Sequence, residues 1–271
     1  MHKKTFGLRS ARRDLKKKTI YLLPNLLTTS ALFCGFFAIV RSMNGDFRSA
    51  AFAIFFSTIF DNLDGRVARL THTQSAFGAE YDSLSDMICF GAAPALIMYE
   101  WSLKAMGRSG WAAAFIYCVT AALRLARFNV SLDEEEGTKP HFLGLPSPVA
   151  AILLVSYVTV VRSHTPHVSP FLLDITSWVL TVFAGLMMIS SIPFYSGKNI
   201  NFRKSIPFSR VVWVVLAIVA LSQSLIDLFD MLFFLSLSYL FWGCFRAVFN
   251  RLLRKKNLSS PEDDSDSGCT V

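Results

Sequence analysis

Charged residues are scarce in this chain: they make up 17% of its 271 residues, whereas 53% are hydrophobic. A soluble domain of this size could bury such a core, but here the apolar residues gather in long runs. No P-loop, no dinucleotide-binding fingerprint and no internal repeat occurs. These absences exclude the commonest glycine-rich phosphate-binding motifs, and the apolar runs indicate an integral membrane protein.

Cysteine is sparse as well and lacks the spacing of a metal or disulfide site. There are five cysteines and no CxxC pair: Cys34, Cys89, Cys118, Cys244 and Cys269. Four of them fall in apolar runs, where a thiol behaves as a small hydrophobic group. A zinc site and a disulfide framework are therefore not indicated. No small-residue cleavage site follows a short apolar core near the N-terminus, so a secretory signal is not expected.

The long apolar runs predict an all-α integral membrane protein. Runs of roughly 17–25 mostly apolar residues are typical of transmembrane helices. Eight segments qualify and predict a polytopic bundle of about eight helices, within a range of six to eight: 25–40, 48–65, 78–99, 111–129, 145–162, 171–193, 210–227 and 230–249. The last two would form a hairpin around Asp227 to Asp230.

Basic residues are distributed unevenly about these segments, which indicates an orientation. With both termini in the cytoplasm, only five of the 27 Lys and Arg residues would face the other side: Arg41, Arg48, Lys104, Arg108 and Arg162. This asymmetry is the one that the positive-inside rule describes. The basic N-terminal segment would lie on anionic lipid headgroups or would only set the topology. No aromatic platform is interleaved with these charges, so nucleic acid is not an expected partner.

Three regions follow from this pattern. Residues 1–20 would be a basic cytoplasmic segment next to the membrane, and residues 21–250 would be the membrane domain. Residues 251–271 would be a polar, acidic tail, which is expected to be disordered. The cytoplasmic connections are richer in polar and basic residues than the outer ones. The active surface is therefore expected to face the cytoplasm, with the chain in the cell inner membrane.

The carboxylates near these segments concentrate in one short stretch. Five residues have the i, i+3, i+4, i+7 and i+8 spacing of one helix face: Asp61, Asp64, Gly65, Ala68 and Arg69. Three more step by four and share a second face: Gly78, Asp82 and Asp86. Four carboxylates that converge in a medium of low dielectric repel one another strongly unless cations bind among them. Charged groups at membrane depth usually mark a substrate or ion site.

These residue types suit metal-assisted phosphate chemistry. Carboxylate oxygens in this number are ligands for Mg²⁺ or Mn²⁺, and two such ions could clamp a diphosphate. Gly65 has no side chain, so a nucleotide could approach the backbone beside Asp64 closely. Arg69 offers a fixed fork of donors for a phosphate.

The same residues match the signature of the CDP-alcohol phosphotransferase family at all its fixed positions. That signature, D-x2-D-G-x2-A-R-x8-G-x3-D-x3-D, coincides with residues 61–86, so the chain resembles members of this family. The resemblance implies that Asp61, Asp64 and Asp82 bind two divalent ions. It also implies that Asp86 is both a ligand and the base that deprotonates the incoming alcohol.

The resemblance further implies a binding site for the CDP part of a lipid substrate. The residues expected to contact CDP are Asn25, Thr28, Asp61, Asp64, Gly65, Ala68, Arg69, Ser75 and Gly78. The stretch from Pro24 to Thr28 is similar to the family's nucleotide-contacting loop, although Asn25 could equally cap the start of a helix. Ser75 lies outside the fixed positions of the signature.

The acceptor alcohol must be inferred from segments beyond the signature. Three runs resemble the branch of the family that uses L-serine: residues 124–129, 142–148 and 196–198. Arg124 and Arg127, three residues apart at a helix end, suit a carboxylate, although they could instead be cations that set the topology. Together with Asn129 and Lys198 they are the expected acceptor-binding residues.

The expected reaction is transfer of the phosphatidyl group from CDP-diacylglycerol to the hydroxyl of L-serine, with release of CMP, among membrane lipids. The nearest alternative keeps this chemistry with glycerol 3-phosphate, inositol or choline as acceptor; choline would favour an aromatic cage. A divalent-cation or metabolite transporter is an alternative of another class, but transporters more often show internal repeats. Members of the family are commonly dimeric, so a homodimer is expected by analogy.

Overall fold

Every secondary-structure element in the described part of the chain is helical. The computed structural model describes residues 3–133, 144–164, 169–190 and 228–258. Eight α-helices lie in these ranges: α1 (Lys3–Met43), α2 (Phe47–Leu70), α3 (Ala76–Asp86), α4 (Ala93–Trp101), α5 (Arg108–Asp133), α6 (Ser147–His164), α7 (Pro170–Ile189) and α8 (Leu228–Leu258). A π-helical turn at Met87–Ala92 joins α3 to α4, and a 3₁₀ turn at Leu103–Met106 precedes α5.

Five of the described helices are long and apolar enough to cross a membrane, which confirms the all-α membrane class. The five segments are Leu22–Met43, Arg108–Val130, Ser147–His164, Pro170–Ile189 and Leu228–Arg246. They correspond to the predicted segments 25–40, 111–129, 145–162, 171–193 and 230–249. The predicted segment 210–227 lies outside the described residues.

Two other predicted spans are helical but are not among these five. The segment 48–65 lies in α2, whose second half carries Asp61, Asp64 and Arg66 and is therefore less apolar. The segment 78–99 is divided by the π-helical turn, and the two flanking α-helices contain only 11 and 9 residues. The count of eight spans therefore stays a prediction.

Helix bounds differ from the predicted segment bounds at both ends of the chain. Pro24 lies inside α1, so the stretch that begins there is neither a loop nor the start of a helix. Proline removes one helical N–H, but a long transmembrane helix tolerates that loss. At the other end α8 continues to Leu258, whereas the acidic tail was expected from residue 251. Residues 259–271 of that tail lie outside the described ranges.

Small residues let α1 approach the segment that follows α3. A Cβ atom added to Gly35 would lie 2.7 Å from Cys89 Sγ and 3.1 Å from Cys89 Cα, so only glycine fits there. Cys89 Sγ and Ser57 Oγ both donate to the carbonyl of Ala31, at 3.2 and 3.1 Å. Close contact through small residues, with polar side chains bonded across helices, is typical of membrane bundles. These contacts bring α1, α2 and the π-helical turn after α3 to a common point.

The turn between α1 and α2 is held by Asp46. Asp46 caps α2 by accepting from the backbone N–H of Ser49 at 3.2 Å, and its carboxylate lies 3.7 Å from Arg41 Nη1. Hydrogen bonds from Ser49 lower the pKa of the Asp46 carboxyl from its ordinary value. The cap aligns α2 along α1, its most extensive partner.

The core of the bundle surrounds the π-helical turn. In the described helices α5 packs on α7 and α6 packs on α8. The largest fully buried side chains include Tyr117, Phe90, Met98, Leu154 and Met188. Asp86, which ends α3, is therefore followed directly by a turn whose residues Cys89, Phe90 and Gly91 are buried in this core.

Candidate active site

Three of the predicted aspartates converge. Asp61, Asp64 and Asp82 each offer one carboxylate oxygen, and these oxygens all lie within 4.8 Å of one another. Asp61 and Asp64 are one turn apart near the end of α2, while Asp82 comes from α3. Since α2 ends at Leu70 and α3 begins at Ala76, a short connection brings the two helix faces together.

Helix α1 holds one member of this cluster in place. Asp64 is only 4% exposed, and it accepts a 2.6 Å hydrogen bond from Thr28 Oγ1. The carbonyl of Thr28 accepts in turn from Ser85 Oγ of α3, at 3.3 Å. Thr28, which was expected to contact CDP, therefore contacts a predicted metal ligand. A buried hydrogen bond of this kind limits the orientations open to the carboxylate.

Asp86 lies outside the set of three but interacts with it. Its carboxyl interacts electrostatically with those of Asp61, Asp82 and Asp64. Like charges in such an arrangement repel one another unless a proton or a cation compensates them. All four predicted aspartates thus belong to one cluster, with Asp86 at its edge beside the core.

The donor set of this cluster fits divalent cations. It consists of carboxylate oxygens, the ligands that Mg²⁺ and Mn²⁺ prefer, and none of the ion pairs between described residues involves these aspartates. Without positive charge, carboxylates within a few ångströms of one another repel strongly in a medium of low dielectric. The cluster therefore has both the ligands and the electrostatic need for bound cations.

Next to the cluster, α2 has open space beside Gly65 and carries the guanidinium of Arg69. Nothing lies within 4 Å of a Cβ added to Gly65, so the backbone beside Asp64 can be approached from outside. Arg69 is exposed, and its Nε donates to the carbonyl of Gly65 at 2.9 Å. That bond fixes the base of the guanidinium while its terminal nitrogens remain available to a phosphate. Ala68 is half-buried, and its carbonyl accepts from the N–H of Thr73 at 3.0 Å.

The start of α3 meets α1 on the same side. Ser75 caps α3 by accepting from the N–H of Gly78 at 3.0 Å. A Cβ added to Gly78 would lie 3.1 Å from Ser75 Oγ and 3.5 Å from Asn25 Oδ1. Asn25, Ser75 and Gly78 are therefore neighbours, as a shared binding site requires. In the connection before them His72 has a φ of 54°, which favours glycine and marks a tight reversal.

Arg124 of α5 faces the cluster from another direction. Its guanidinium interacts electrostatically with Asp86. Arg124 Nη1 donates to Ser147 Oγ at 2.7 Å, while the buried Nε has no protein partner among the described residues. Ser147 is 1% exposed and begins α6. Arg124 thus carries an unused donor beside the carboxylate that is expected to act as base.

Two other predicted acceptor residues lie in the described part of the chain. Asn129 is bonded to Ser83, with Asn129 Nδ2 donating to Ser83 Oγ at 3.1 Å, and Ser83 adjoins Asp82 in the chain. Arg127 is exposed and lies three residues beyond Arg124 on α5. The fourth, Lys198, lies outside the described residues. Of the three described residues, Arg124 is the one that interacts electrostatically with Asp86.

Comparison with known proteins assigns the family. The family model for CDP-alcohol phosphatidyltransferase matches residues 21–189. The chain belongs to this family. The match covers the aspartate cluster, the supporting part of α1, and Arg124 with Ser147, so all the described site residues lie within it.

Several relatives in this family carry similar names. The chain is 33% identical to the CDP-diacylglycerol–serine O-phosphatidyltransferase of Helicobacter pylori over 244 residues, which is 89% of this chain and 98% of that protein. It is 38% identical to the protein of that name from Methanocaldococcus jannaschii, over 54% of this chain and 63% of the relative. An archaetidylserine synthase of Methanothermobacter thermautotrophicus is 32% identical, over 67% of this chain and 72% of the relative.

Some residues of the site were missed by sequence reasoning. Ser147 was noted only as part of the run 142–148 that resembles the branch of the family that uses L-serine, and Ser83 was not singled out. Their contacts with Arg124 and Asn129 join segments 23 and 46 residues apart. The only sequence signal was that Ser83 adjoins Asp82 and that Ser147 lies between two prolines, where a helix is expected to begin.

Metal binding should be measurable without turnover. Adding Mg²⁺ or Mn²⁺ to EDTA-treated protein should raise its melting temperature, because a cation that binds the folded state relieves the repulsion among the carboxylates. Asp82→Asn should remove most of that rise. The control is Asp174→Asn, whose carboxylate accepts from Ser102 Oγ at 2.7 Å on another helix pair. If neither ion changes the melting temperature of the unaltered protein, the cluster is not a metal site.

Proposed function

We propose that this protein transfers the phosphatidyl group of CDP-diacylglycerol to the hydroxyl of L-serine, which yields phosphatidylserine and CMP. The observation that carries the proposal is the aspartate cluster, with carboxylate oxygens of Asp61, Asp64 and Asp82 within 4.8 Å of one another and Asp86 in electrostatic interaction with them. The names of the relatives support CDP-diacylglycerol and serine as the two substrates.

The cluster would hold Mg²⁺ or Mn²⁺, with two ions as the expected number. Asp61, Asp64, Asp82 and Asp86 would supply the ligands. Bound there, divalent cations would neutralise the negative charge of the diphosphate and of the leaving CMP. Thr28 would keep Asp64 oriented for this purpose through its 2.6 Å hydrogen bond.

The CDP moiety would lie over the open face of α2. Gly65 would admit the nucleotide close to the backbone, and Arg69 would bind a phosphate through its terminal nitrogens. Asn25, Ser75 and Gly78, which are neighbours at the junction of α1 and α3, would border the same site. Ala68, two residues before the end of α2, would complete its wall. The diacylglycerol tails would remain among the membrane lipids throughout.

Asp86 would activate the acceptor. Its carboxylate would take the proton of the serine hydroxyl while the serine oxygen forms a bond to the phosphorus that carries diacylglycerol. The bond between that phosphorus and the bridging oxygen would break, and CMP would leave with the electron pair. Held beside the buried core, Asp86 is fixed in position, and fixed position is what makes such a transfer fast.

Arg124 would bind the serine carboxylate. Its guanidinium faces Asp86, and its Nε has no protein partner in the described ranges, so a donor is available where the acceptor must lie. A carboxylate bound there would place the serine hydroxyl within reach of Asp86. Arg127, Asn129 and Lys198 would lie farther out in the same acceptor site.

The proposed setting is the cell inner membrane, with the aspartate cluster and both termini on the cytoplasmic side. The uneven distribution of Lys and Arg supports this orientation. About eight spans would then form the membrane domain, residues 21–250, between a basic segment at 1–20 and an acidic tail at 251–271. A homodimer is proposed by analogy with the family.

The acceptor is identified by a direct assay. Purified protein with CDP-diacylglycerol and Mn²⁺ or Mg²⁺ should convert radiolabelled L-serine into labelled lipid. Glycerol 3-phosphate, inositol and choline, each labelled and tested alone, should give little product, because none of them has the carboxylate that Arg124 is proposed to bind. If one of these three is labelled into lipid faster than L-serine, the protein catalyses the same transfer but uses that alcohol as its acceptor.

Asp86→Asn should abolish most turnover. The substitution keeps the size of the side chain but removes the base, which typically costs about 10²–10⁴-fold in rate. Binding of CDP-diacylglycerol should be largely retained, since three aspartates remain. Asp174→Asn again provides the matched control. If Asp86→Asn turns over like the unaltered protein, another residue is the base.

Arg124→Ala should raise the KM for serine far more than the KM for CDP-diacylglycerol. A hydrogen bond to a charged group contributes roughly 1.5–3 kcal/mol, or about 10- to 150-fold in affinity. Serinol, which lacks the carboxylate, should be a poor substrate and should lose little further in the variant. Arg162→Ala is the control, because Arg162 donates to the carbonyl of Gly45 in the turn between α1 and α2. A parallel rise of both KM values would assign Arg124 to the nucleotide instead.

A further inference from the structure

The helix turn that directly follows Asp86 is π-helical. It spans Met87–Ala92, and the N–H of Ala93 donates to the carbonyl of Ile88, five residues earlier rather than four. One extra residue in a turn rotates the preceding side chains by about 100° relative to those that follow. The direction of Asp86 relative to α4 therefore depends on whether this turn keeps its π-helical form.

Pro94 removes one hydrogen bond that an ordinary α-helix would form at this turn. In an α-helix the carbonyl of Phe90 would accept from the N–H of residue 94, but that residue is Pro94 and has no N–H. Phe90 is 0% exposed, so water does not replace the missing donor. The carbonyl is therefore open to a donor from another element.

Tyr117 of α5 supplies that donor. Its hydroxyl donates to the carbonyl of Phe90 at 3.1 Å, and its side chain is fully buried. The contact is reinforced one turn further along α5, where a Cβ added to Gly91 would lie 3.2 Å from the Cβ of Ala121. The π-helical turn is thus packed and bonded against one face of α5.

The same face of α5 reaches the site. Tyr117, Ala121 and Arg124 are spaced by four and three residues, which places them on one side of the helix. Tyr117 holds the turn after Asp86, and Arg124 interacts with Asp86 itself. One helix, α5, therefore contacts the turn that follows the expected base, Asp86, and also carries the expected acceptor-binding residue, Arg124.

We infer that Tyr117 is a positioning residue for Asp86: its hydroxyl holds the π-helical turn that aims the carboxylate at the acceptor. The inference rests on the role of Asp86 in the proposed function. Tyr117 touches neither substrate nor cation; it acts through the Phe90 carbonyl and the turn.

Tyr117→Phe tests this, since it keeps the ring and removes only the hydroxyl. Without that donor the turn can relax, and Asp86 moves relative to the acceptor. We expect kcat to fall by about 10- to 100-fold, because a misplacement of about 1 Å can cost that much. The KM values of both substrates should change by less than about threefold, since neither binding site is altered.

The matched control is Tyr157→Phe. The Tyr157 hydroxyl is also buried and bonded, lying 2.8 Å from Thr176 Oγ1 and 3.3 Å from Ser177 Oγ, but it joins α6 to α7 away from the cluster. Melting temperature and affinity for CDP-diacylglycerol are measured for both variants. Similar melting temperatures, with a loss of kcat in Tyr117→Phe alone, would support the inference.

Three results would overturn it. A wild-type kcat in Tyr117→Phe, or an equal loss in Tyr157→Phe, would remove any special link between Tyr117 and the base. Loss of CDP-diacylglycerol affinity together with kcat would mean that Tyr117 supports the fold as a whole. Failure of the proposed function is a separate result, because it appears in the unaltered protein as a lack of transfer to serine.

Discussion

Repulsion among carboxylates is the constraint on which the rest of this structure depends. Carboxylate oxygens of Asp61, Asp64 and Asp82 lie within 4.8 Å of one another at the end of a membrane bundle, and Asp86 interacts with them electrostatically. Such a group is unfavourable alone in a medium of low dielectric and becomes favourable only with cations and a phosphate-bearing ligand. The folding free energy of the rest of the bundle must therefore offset the repulsion among the aspartates. Hydrogen bonds from neighbouring helices contribute to this.

Those contacts come from three helices that do not carry the signature. Thr28 of α1 bonds Asp64, Ser147 of α6 accepts from Arg124, and Tyr117 of α5 completes the turn after Asp86. Each contact is a hydrogen bond between a buried polar group and a partner far away in the chain. In a membrane bundle such bonds specify which helices meet and in which orientation, because apolar packing alone distinguishes poorly among neighbours.

Local periodicity made the aspartates predictable from sequence. Residues 61–69 and 78–86 lie on two helix faces because a helix has 3.6 residues per turn, and a connection of five residues can only bring those faces together. Three features were not predictable in this way: that Pro24 lies inside a helix, that the turn after Asp86 is π-helical, and that Arg124 donates to Ser147. Each depends on which helix packs alongside: Pro94 signals a missing donor, but nothing in its neighbourhood indicates that Tyr117 replaces it.

In the proposed function the four aspartates hold divalent cations around the substrate diphosphate. Anomalous diffraction at the manganese edge, from crystals grown with Mn²⁺ and CDP-diacylglycerol, is the measurement that bears on this directly. We expect anomalous peaks bounded by the carboxylates of Asp61, Asp64, Asp82 and Asp86 and next to the diphosphate. Bound CDP-diacylglycerol with no peak among these carboxylates, or with manganese at another site, would contradict it.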